Sequence, residues 1–293
     1  LHLCDRRQRQ MCIRDRLVSV IVPFYKGNKY IFDLCSSIEK NVNYLKEKQS
    51  DCLIECIIVN DSPDVNVILP DVDFNFKIQV VYHEKNAGIQ QARVTGLEYA
   101  KGDYIVFLDQ DDELLNYAIF EEINNIDNAD VLICNALIEN EKHETHKLYS
   151  TNGMQKNALT LNAYIFGHNR IVSPGHCMIK KTSIPIEWKQ NIMEVNGSDD
   201  LFLWILMFSK GSIFKADSKP VYIHKNTGEN LSAASNAMTQ SSLSMVKYLS
   251  QIDYVNDYIV KSLERDRAFF IKLEASNGVK KILLMICLLY TSD

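Results

Sequence analysis

The chain has 293 residues, 46% hydrophobic and 24% charged, with a net charge of −5 at neutral pH. That apolar content suffices for a large folded core, and a mildly acidic chain without a basic block argues against a nucleic-acid partner. The apolar run at 282–290 falls short of the roughly 20 residues a bilayer span needs.

The first residues do not read as part of a fold. Arg6-Arg7-Gln8-Arg9-Gln10-Met11-Cys12-Ile13-Arg14-Asp15-Arg16 is basic and aperiodic. Its back-translation and that of the tail Cys287-Leu288-Leu289-Tyr290-Thr291-Ser292-Asp293 are reverse complements over most of their length. Inverted adapters at the ends of sequencing-library fragments have that property. Residues 1–16 and 287–293 are therefore set aside as non-native. They are expected to be exposed and dispensable, and the native piece is expected to be cut short at its C-terminus. Without them the chain is more acidic, and the cysteines reduce to Cys35, Cys52, Cys56, Cys134 and Cys177. An odd, scattered set without CxxC spacing reads as reduced, buried thiols of a cytosolic protein.

From residue 17 onward, strand and helix signals alternate. Val18-Ser19-Val20-Ile21-Val22 predicts a strand ended by Pro23, after which Tyr30, Ile31, Leu34, Cys35 and Ile38 recur at helical spacing. Residues 53–59 predict a second strand, closed by the turn-forming Asn60-Asp61-Ser62-Pro63-Asp64. Residues 78–82 predict a third. Ile89, Ala92, Gly96, Leu97 and Ala100 form a helical stripe, and Lys101-Gly102-Asp103 turns into the apolar run Tyr104-Ile105-Val106-Phe107-Leu108. Short and apolar on both faces, that run reads as a buried parallel strand. A further strand is predicted at 131–134. The second half is less regular, with strands at 176–179 and 221–224, a helix at 199–209 and a long amphipathic stretch from about 237 to 263. Strands separated by helices imply βαβ units and an α/β fold. About 270 residues suit one large domain with a helical appendage.

The most informative segment is Asp109-Gln110-Asp111-Asp112-Glu113, directly after that buried run. Carboxylates so crowded repel one another unless a cation sits among them. A hard divalent ion takes oxygen ligands and shares them with a substrate's phosphates, and the carboxyl end of a strand is where open α/β sheets bind ligands.

Taken in order, the strand ends read Val22-Pro23-Phe24-Tyr25, Val59-Asn60-Asp61-Ser62-Pro63-Asp64, Asn86-Ala87-Gly88 with Ala92-Arg93, and Phe107-Leu108-Asp109-Gln110-Asp111-Asp112. Ser198-Asp199-Asp200-Leu201-Phe202 and Tyr222-Ile223-His224 follow. This ordered set, over about 18–232, resembles the family 2 glycosyltransferases, inverting nucleotide-sugar enzymes. The resemblance implies a Rossmann-like GT-A fold, with a mostly parallel central sheet flanked by helices, at 17–236. A C-terminal helical extension would occupy 237–286. It puts Pro23 and Tyr25 at the nucleobase wall and lets Asp61 accept a uracil N–H. Gly88 would let backbone approach the nucleotide, and Arg93 joins the nucleotide-binding set. Asp109 would lie towards the ribose, Asp111 would ligate Mn²⁺ or Mg²⁺ with Asp112 supporting, and His224 would complete the metal shell or touch the diphosphate. Asp200 would be the general base, with Asp199 supporting it from the helix start. His176 falls where acceptor-side loops are expected.

The implied reaction transfers a sugar from a UDP-sugar to a carbohydrate or lipid-linked acceptor, in bacterial cell-surface polysaccharide or glycolipid synthesis. The implied place is the cytoplasm. Lys280-Lys281 ahead of Ile282 is compatible with peripheral attachment at the inner membrane face or with the start of a transmembrane segment. Two departures stand out: Asn60-Asp61-Ser62-Pro63 lacks the family's glycine, Pro63 fixing φ instead, and Val94 replaces a frequent Asn. Two other readings stay open. One is a nucleotidyltransferase, for which Lys26-Gly27-Asn28-Lys29 is a thin phosphate loop; the other is a catalytically impaired nucleotide-sugar-binding fragment.

Overall fold

The protein is described by a computed structural model covering residues 16–166, 169–226, 235–274 and 276. The expectations for residues 1–15 and for the tail at 277–293 lie outside them. Arg16, the last residue set aside above, belongs to the packed structure. Its carbonyl accepts the Leu53 N–H at 2.9 Å and its guanidinium donates to the Ile123 carbonyl at 2.8 Å.

Nine strands form one sheet in the order β3-β2-β1-β4-β8-β6-β9-β5, with β7 beside β6. The strands are β1 (Leu17–Phe24), β2 (Leu53–Asn60), β3 (Lys77–Tyr82), β4 (Tyr104–Phe107), β5 (Glu113–Leu114), β6 (Val131–Glu139), β7 (Thr145–Lys147), β8 (Cys177–Lys180) and β9 (Phe214–Lys225). The long ladders are parallel: β1 with β2, β2 with β3, and β6 with β9. The antiparallel pairings, β4 with β8, β6 with β8, β6 with β7 and β5 with β9, run for only two or three residues each.

The central strand β1 explains the layering. Val18, Val20, Val22 and Phe24 pack into one apolar core and Ile21 into the other, because successive side chains leave opposite faces of a strand. Helices α1 (Ile31–Glu47) and α3 (Ala118–Asn125) cover the first face. Helices α2 (Ile89–Tyr99) and α7 (Asp199–Ser209) cover the second, as do the C-terminal α8 (Ser235–Leu249) and α9 (Asp257–Glu274). Short helices α4 (Asn152–Asn157), α5 (Asn162–Ile165) and α6 (Ile186–Gln190) fill the connections.

Two local expectations shift. Pro23 lies inside β1 rather than ending it. The ladder to β4 stops at Ile21 opposite Phe107, so past that point the missing N–H breaks no hydrogen bond on that side. The amphipathic stretch from 237 divides into α8 and α9. Asn256 starts the second helix, its Oδ1 accepting the Tyr258 N–H at 2.8 Å, as an N-cap asparagine does.

Candidate active site

Strands β1, β2, β4, β6 and β9 all end at the same edge of the sheet. Strand β8 runs the other way, so its start, with Ser173 and His176 just before it, reaches that edge too. Sequence positions spread from 23 to 225 are thereby gathered in one region, where α/β sheets offer ligand sites.

At the centre is Arg93 on α2. It is 3% exposed and bridges two carboxylates, donating from Nη1 to Asp199 Oδ2 and from Nη2 to Asp109 Oδ1, each at 2.7 Å. Burial opposes its charge, but Asp109 and Asp199 outweigh that and raise its pKa. The Ser173 hydroxyl donates to Asp109 Oδ2 at 2.9 Å, so both oxygens of Asp109 are held. Asp199 is itself anchored where its carbonyl accepts the indole N–H of Trp188 at 2.7 Å. The end of β4 and the start of α7 are thus one rigid unit.

Asp112 is almost fully buried and saturated with donors. Tyr222 Oη–H donates to its Oδ2, the Lys225 backbone N–H reaches Oδ1 at 2.7 Å, and His224 Nδ1 lies 3.0 Å from Oδ2. This carboxylate fixes the His224 ring and leaves Nε2 as the atom that can serve as a ligand. Burial works against charging His224, but the hydrogen bond and the attraction of Asp112, with Asp109 and Asp111, raise its pKa. Asp111 has its pKa pushed up to about 6 by burial and by repulsion from Asp112 and Asp109. A carboxylate so disfavoured in its charged form, beside an oriented imidazole, fits a divalent cation. Among the described residues no group of three or more His, Cys, Asp or Glu side chains is placed to hold a metal ion. An ion here would take further ligands from a bound phosphate, as Mg²⁺ commonly does.

The expected nucleobase side is built around Asp61. Its Oδ1 accepts from Ala87 N at 2.7 Å and lies 2.8 Å from His83 Nδ1, while Oδ2 accepts from Gly88 N at 2.8 Å. A nucleobase N–H would therefore share Oδ2 with Gly88. The Asx-type contact in this loop belongs to Asn60, whose Oδ1 accepts the Ser62 N–H at 2.8 Å. Gly88 caps α2 at φ 89°, a conformation L side chains rarely adopt, and a Cβ there would meet Asn196 Oδ1 at 2.7 Å. Pro23 is buried, whereas Tyr25 is half exposed. Gln110 clamps the backbone of Tyr25, accepting from its N–H at 2.9 Å and donating to its carbonyl at 3.1 Å.

Asp200 sits in the first turn of α7. Burial and the neighbouring Asp199 push its pKa up to about 7, with Arg93 and the Leu201 N–H opposing. Its Oδ2 accepts from Asn169 Nδ2 at 2.7 Å. His176, expected on the acceptor side, is instead fully buried. Its Nδ1–H donates to the Cys134 carbonyl at 2.7 Å, burial pushes its pKa down to about 4, and its ring packs between Tyr149 and Tyr222. The geometry is that of a core histidine. All five cysteines of the described region are free and buried.

The sequence alone assigned no role to Ser173, Asn169, His83, Asn196, Gln110 and Tyr222, although Gln110 and Tyr222 lie within the motifs quoted above. Only Tyr222 carried a signal: two residues from His224 on a strand, it shares the same face.

Comparison with known proteins adds the following. A family model described as glycosyl transferase family 2 matches residues 19–184. The minor teichoic acid biosynthesis protein GgaB of Bacillus subtilis is 38% identical over 110 residues, covering 36% of this chain and 11% of GgaB. The chain spans well under half the length of the curated relatives it matches. Among solved structures, Staphylococcus aureus TarS 1–349 in complex with UDP-GlcNAc superposes with a TM-score of 0.62 at 17% identity, over 91% of this chain and 78% of that one. The mannosyltransferase PcManGT of Pyrobaculum calidifontis, in complex with GDP-Man and Mn²⁺, gives 0.56 at 13% identity over 94% and 79%. The fold is that of the GT-A glycosyltransferases.

Proposed function

Since the chain belongs to glycosyl transferase family 2, we propose that it transfers a sugar from a nucleoside diphosphate sugar, a UDP-sugar, to an acceptor hydroxyl with inversion. The acceptor is a carbohydrate or lipid-linked glycan, in the assembly of a bacterial cell-surface polymer or glycolipid. The observation that carries this reading is the Arg93 bridge, which ties Asp109 of the cation-suited carboxylate cluster to Asp199, the residue next to the poised Asp200.

Asp111 and Nε2 of His224, with Asp109, would hold Mn²⁺ or Mg²⁺, which when bound neutralises charge on the departing diphosphate. Tyr25 and Pro23 flank the base, and Asp61 and Gly88 shape the loop on which the nucleotide rests. Asp200 takes the acceptor's proton as its oxygen attacks the anomeric carbon, while the bond to the diphosphate oxygen breaks on the opposite face. A base with a pKa about 7 is matched to that task near neutral pH, and a single displacement inverts the centre. The GDP-Man and Mn²⁺ bound by PcManGT support the metal, and the UDP-GlcNAc bound by TarS supports the donor class. Residues 17–236 form the catalytic unit in this reading and 237–286 a helical appendage. The chain works on the cytoplasmic side, at the membrane's inner face. No helix of the described residues is long and apolar enough to cross a membrane.

The test is incubation with Mn²⁺ and a panel of UDP-GlcNAc, UDP-glucose, UDP-galactose and GDP-mannose, measuring nucleoside diphosphate release. Release that disappears in Asp200→Asn supports the reading. Pyrophosphate release from a nucleoside triphosphate and a sugar phosphate would replace it with nucleotidyl transfer.

A further inference from the structure

We propose that Asn169 is a positioning residue for the reaction: its side-chain amide holds the Asp200 carboxylate in the ionised form and in the orientation that accepts the acceptor's proton. The proposal rests on the assignment of Asp200 as the base.

The geometry begins with the amide itself. Asn169 Oδ1 accepts the Ile171 N–H at 3.1 Å, while Nδ2 donates to Asp200 Oδ2 at 2.7 Å. The first contact fixes which way round the amide sits, because a flipped amide would set an NH₂ group against the Ile171 N–H. Nδ2 is donor-only, so Asp200 must present it with a lone pair, an arrangement that the charged carboxylate meets best. The other oxygen, Oδ1, is likewise held by a donor, the Leu201 N–H at 2.7 Å. Each carboxylate oxygen is thus pinned by one N–H and retains a lone pair. Two donors fix the carboxylate plane and favour the charged form.

The surroundings push the other way. Besides burial, Asp199 and, more weakly, Asp109 oppose ionisation of Asp200, while Arg93 supports it. Tyr164 and Cys177 also lie within electrostatic reach of Asp200. Arg93 already spends its two guanidinium NH₂ groups on Asp109 and Asp199. Asn169 is therefore the side chain whose hydrogen bond acts directly on Asp200. It comes from the connection before β8, not from α7, so the base is steadied from outside its own helix.

The experiment follows the Asp200 carboxyl by ¹³C NMR in aspartate-labelled protein, the resonance being assigned by its loss in Asp200→Asn. Its midpoint is measured in the wild type, in Asn169→Ala and in Asn169→Asp. Loss of a hydrogen bond to a charged group should raise the midpoint by about one pH unit or more in Asn169→Ala. Asn169→Asp keeps an oxygen to receive the Ile171 N–H but sets a like charge against Asp200, so it should raise the midpoint at least as far. In nucleoside diphosphate release, both variants should lose kcat about fivefold or more at pH 7, with donor KM unchanged and the kcat–pH curve displaced to higher pH. If Asn169 only holds its own loop, Asn169→Ala will keep the wild-type midpoint and kcat while losing thermal stability, and the proposal falls. An unshifted midpoint in both variants also overturns it. An active Asp200→Asn would instead overturn the assignment of the base, whatever the midpoints show.

Discussion

Replacing Arg93 with methionine isolates the contact on which the site's geometry depends. Methionine keeps most of the side-chain volume and removes the charge and both hydrogen bonds. Asp199, its side chain only 6% exposed, then has no cation, and Asp109, at 23%, keeps only Ser173. Breaking one side of a buried ion pair costs about 3–5 kcal/mol. For a domain of this size each kcal/mol is worth about 2–4 °C, so the melting temperature should fall by on the order of 10 °C at pH 8. The gap between variant and wild type is read from circular dichroism melts at pH 8. Adding Asp199→Asn to Arg93→Met should restore part of the loss. A gap under about 2 °C at pH 8 would refute the description of Arg93 as the tie between two buried carboxylates.

Other outcomes follow from the same geometry. Asp111→Asn should abolish Mn²⁺-dependent turnover, yet leave the metal-free melting temperature at pH 7.5 equal or higher. A carboxylate whose pKa is held up to about 6 by burial and by its acidic neighbours weakens the fold as pH rises above its unfolded value, and the amide removes that cost. In the wild type, kcat should rise about tenfold per pH unit up to a bend near pH 7, where Asp200 ionises, or lower once a cation is bound nearby; a flat profile from pH 5 to 8 would exclude Asp200 as the titrating base. Gly175→Ala should cost about 1–3 kcal/mol and impair activity, because a Cβ there would lie 2.3 Å from the Tyr222 ring and displace Tyr222 from Asp112. Wild-type melting and turnover would show that Tyr222 is not needed where it sits.

How much of this was legible depended on how local each cause was. The strands of the first half were readable because β1, β2 and β4 are buried on both faces and so appear as largely apolar runs, interrupted by Ser19 in β1 and Glu55 in β2. The acidic cluster after β4 stood out because chain order alone places it at a strand end. Strand β8 was visible, but not its direction, since antiparallel insertion between β4 and β6 leaves no mark in a four-residue segment. Arg93 was picked out by motif, yet its two partners lie 16 and 106 residues away, and no periodicity encodes a contact of that kind. Ser173 and Asn169 act through single hydrogen bonds from irregular connections, where residue type carries little information. His176 misled because a lone histidine before a strand looks the same whether it faces a cleft or a core.

The position of β8 has a consequence for synthesis of the chain. Strand β4 sits beside β1 on one side and β8 on the other, so its second side stays uncovered until residue 180 has left the ribosome. A nascent chain that pauses before then presents the open backbone of Ile105, Val106 and Phe107, and an unpaired apolar edge recruits other strands. Fragments ending between about 110 and 175 should collect in the insoluble fraction, and fragments that extend past β8 should escape it. The same strand that brings Ser173 to Asp109 in the finished protein also seals the nascent one.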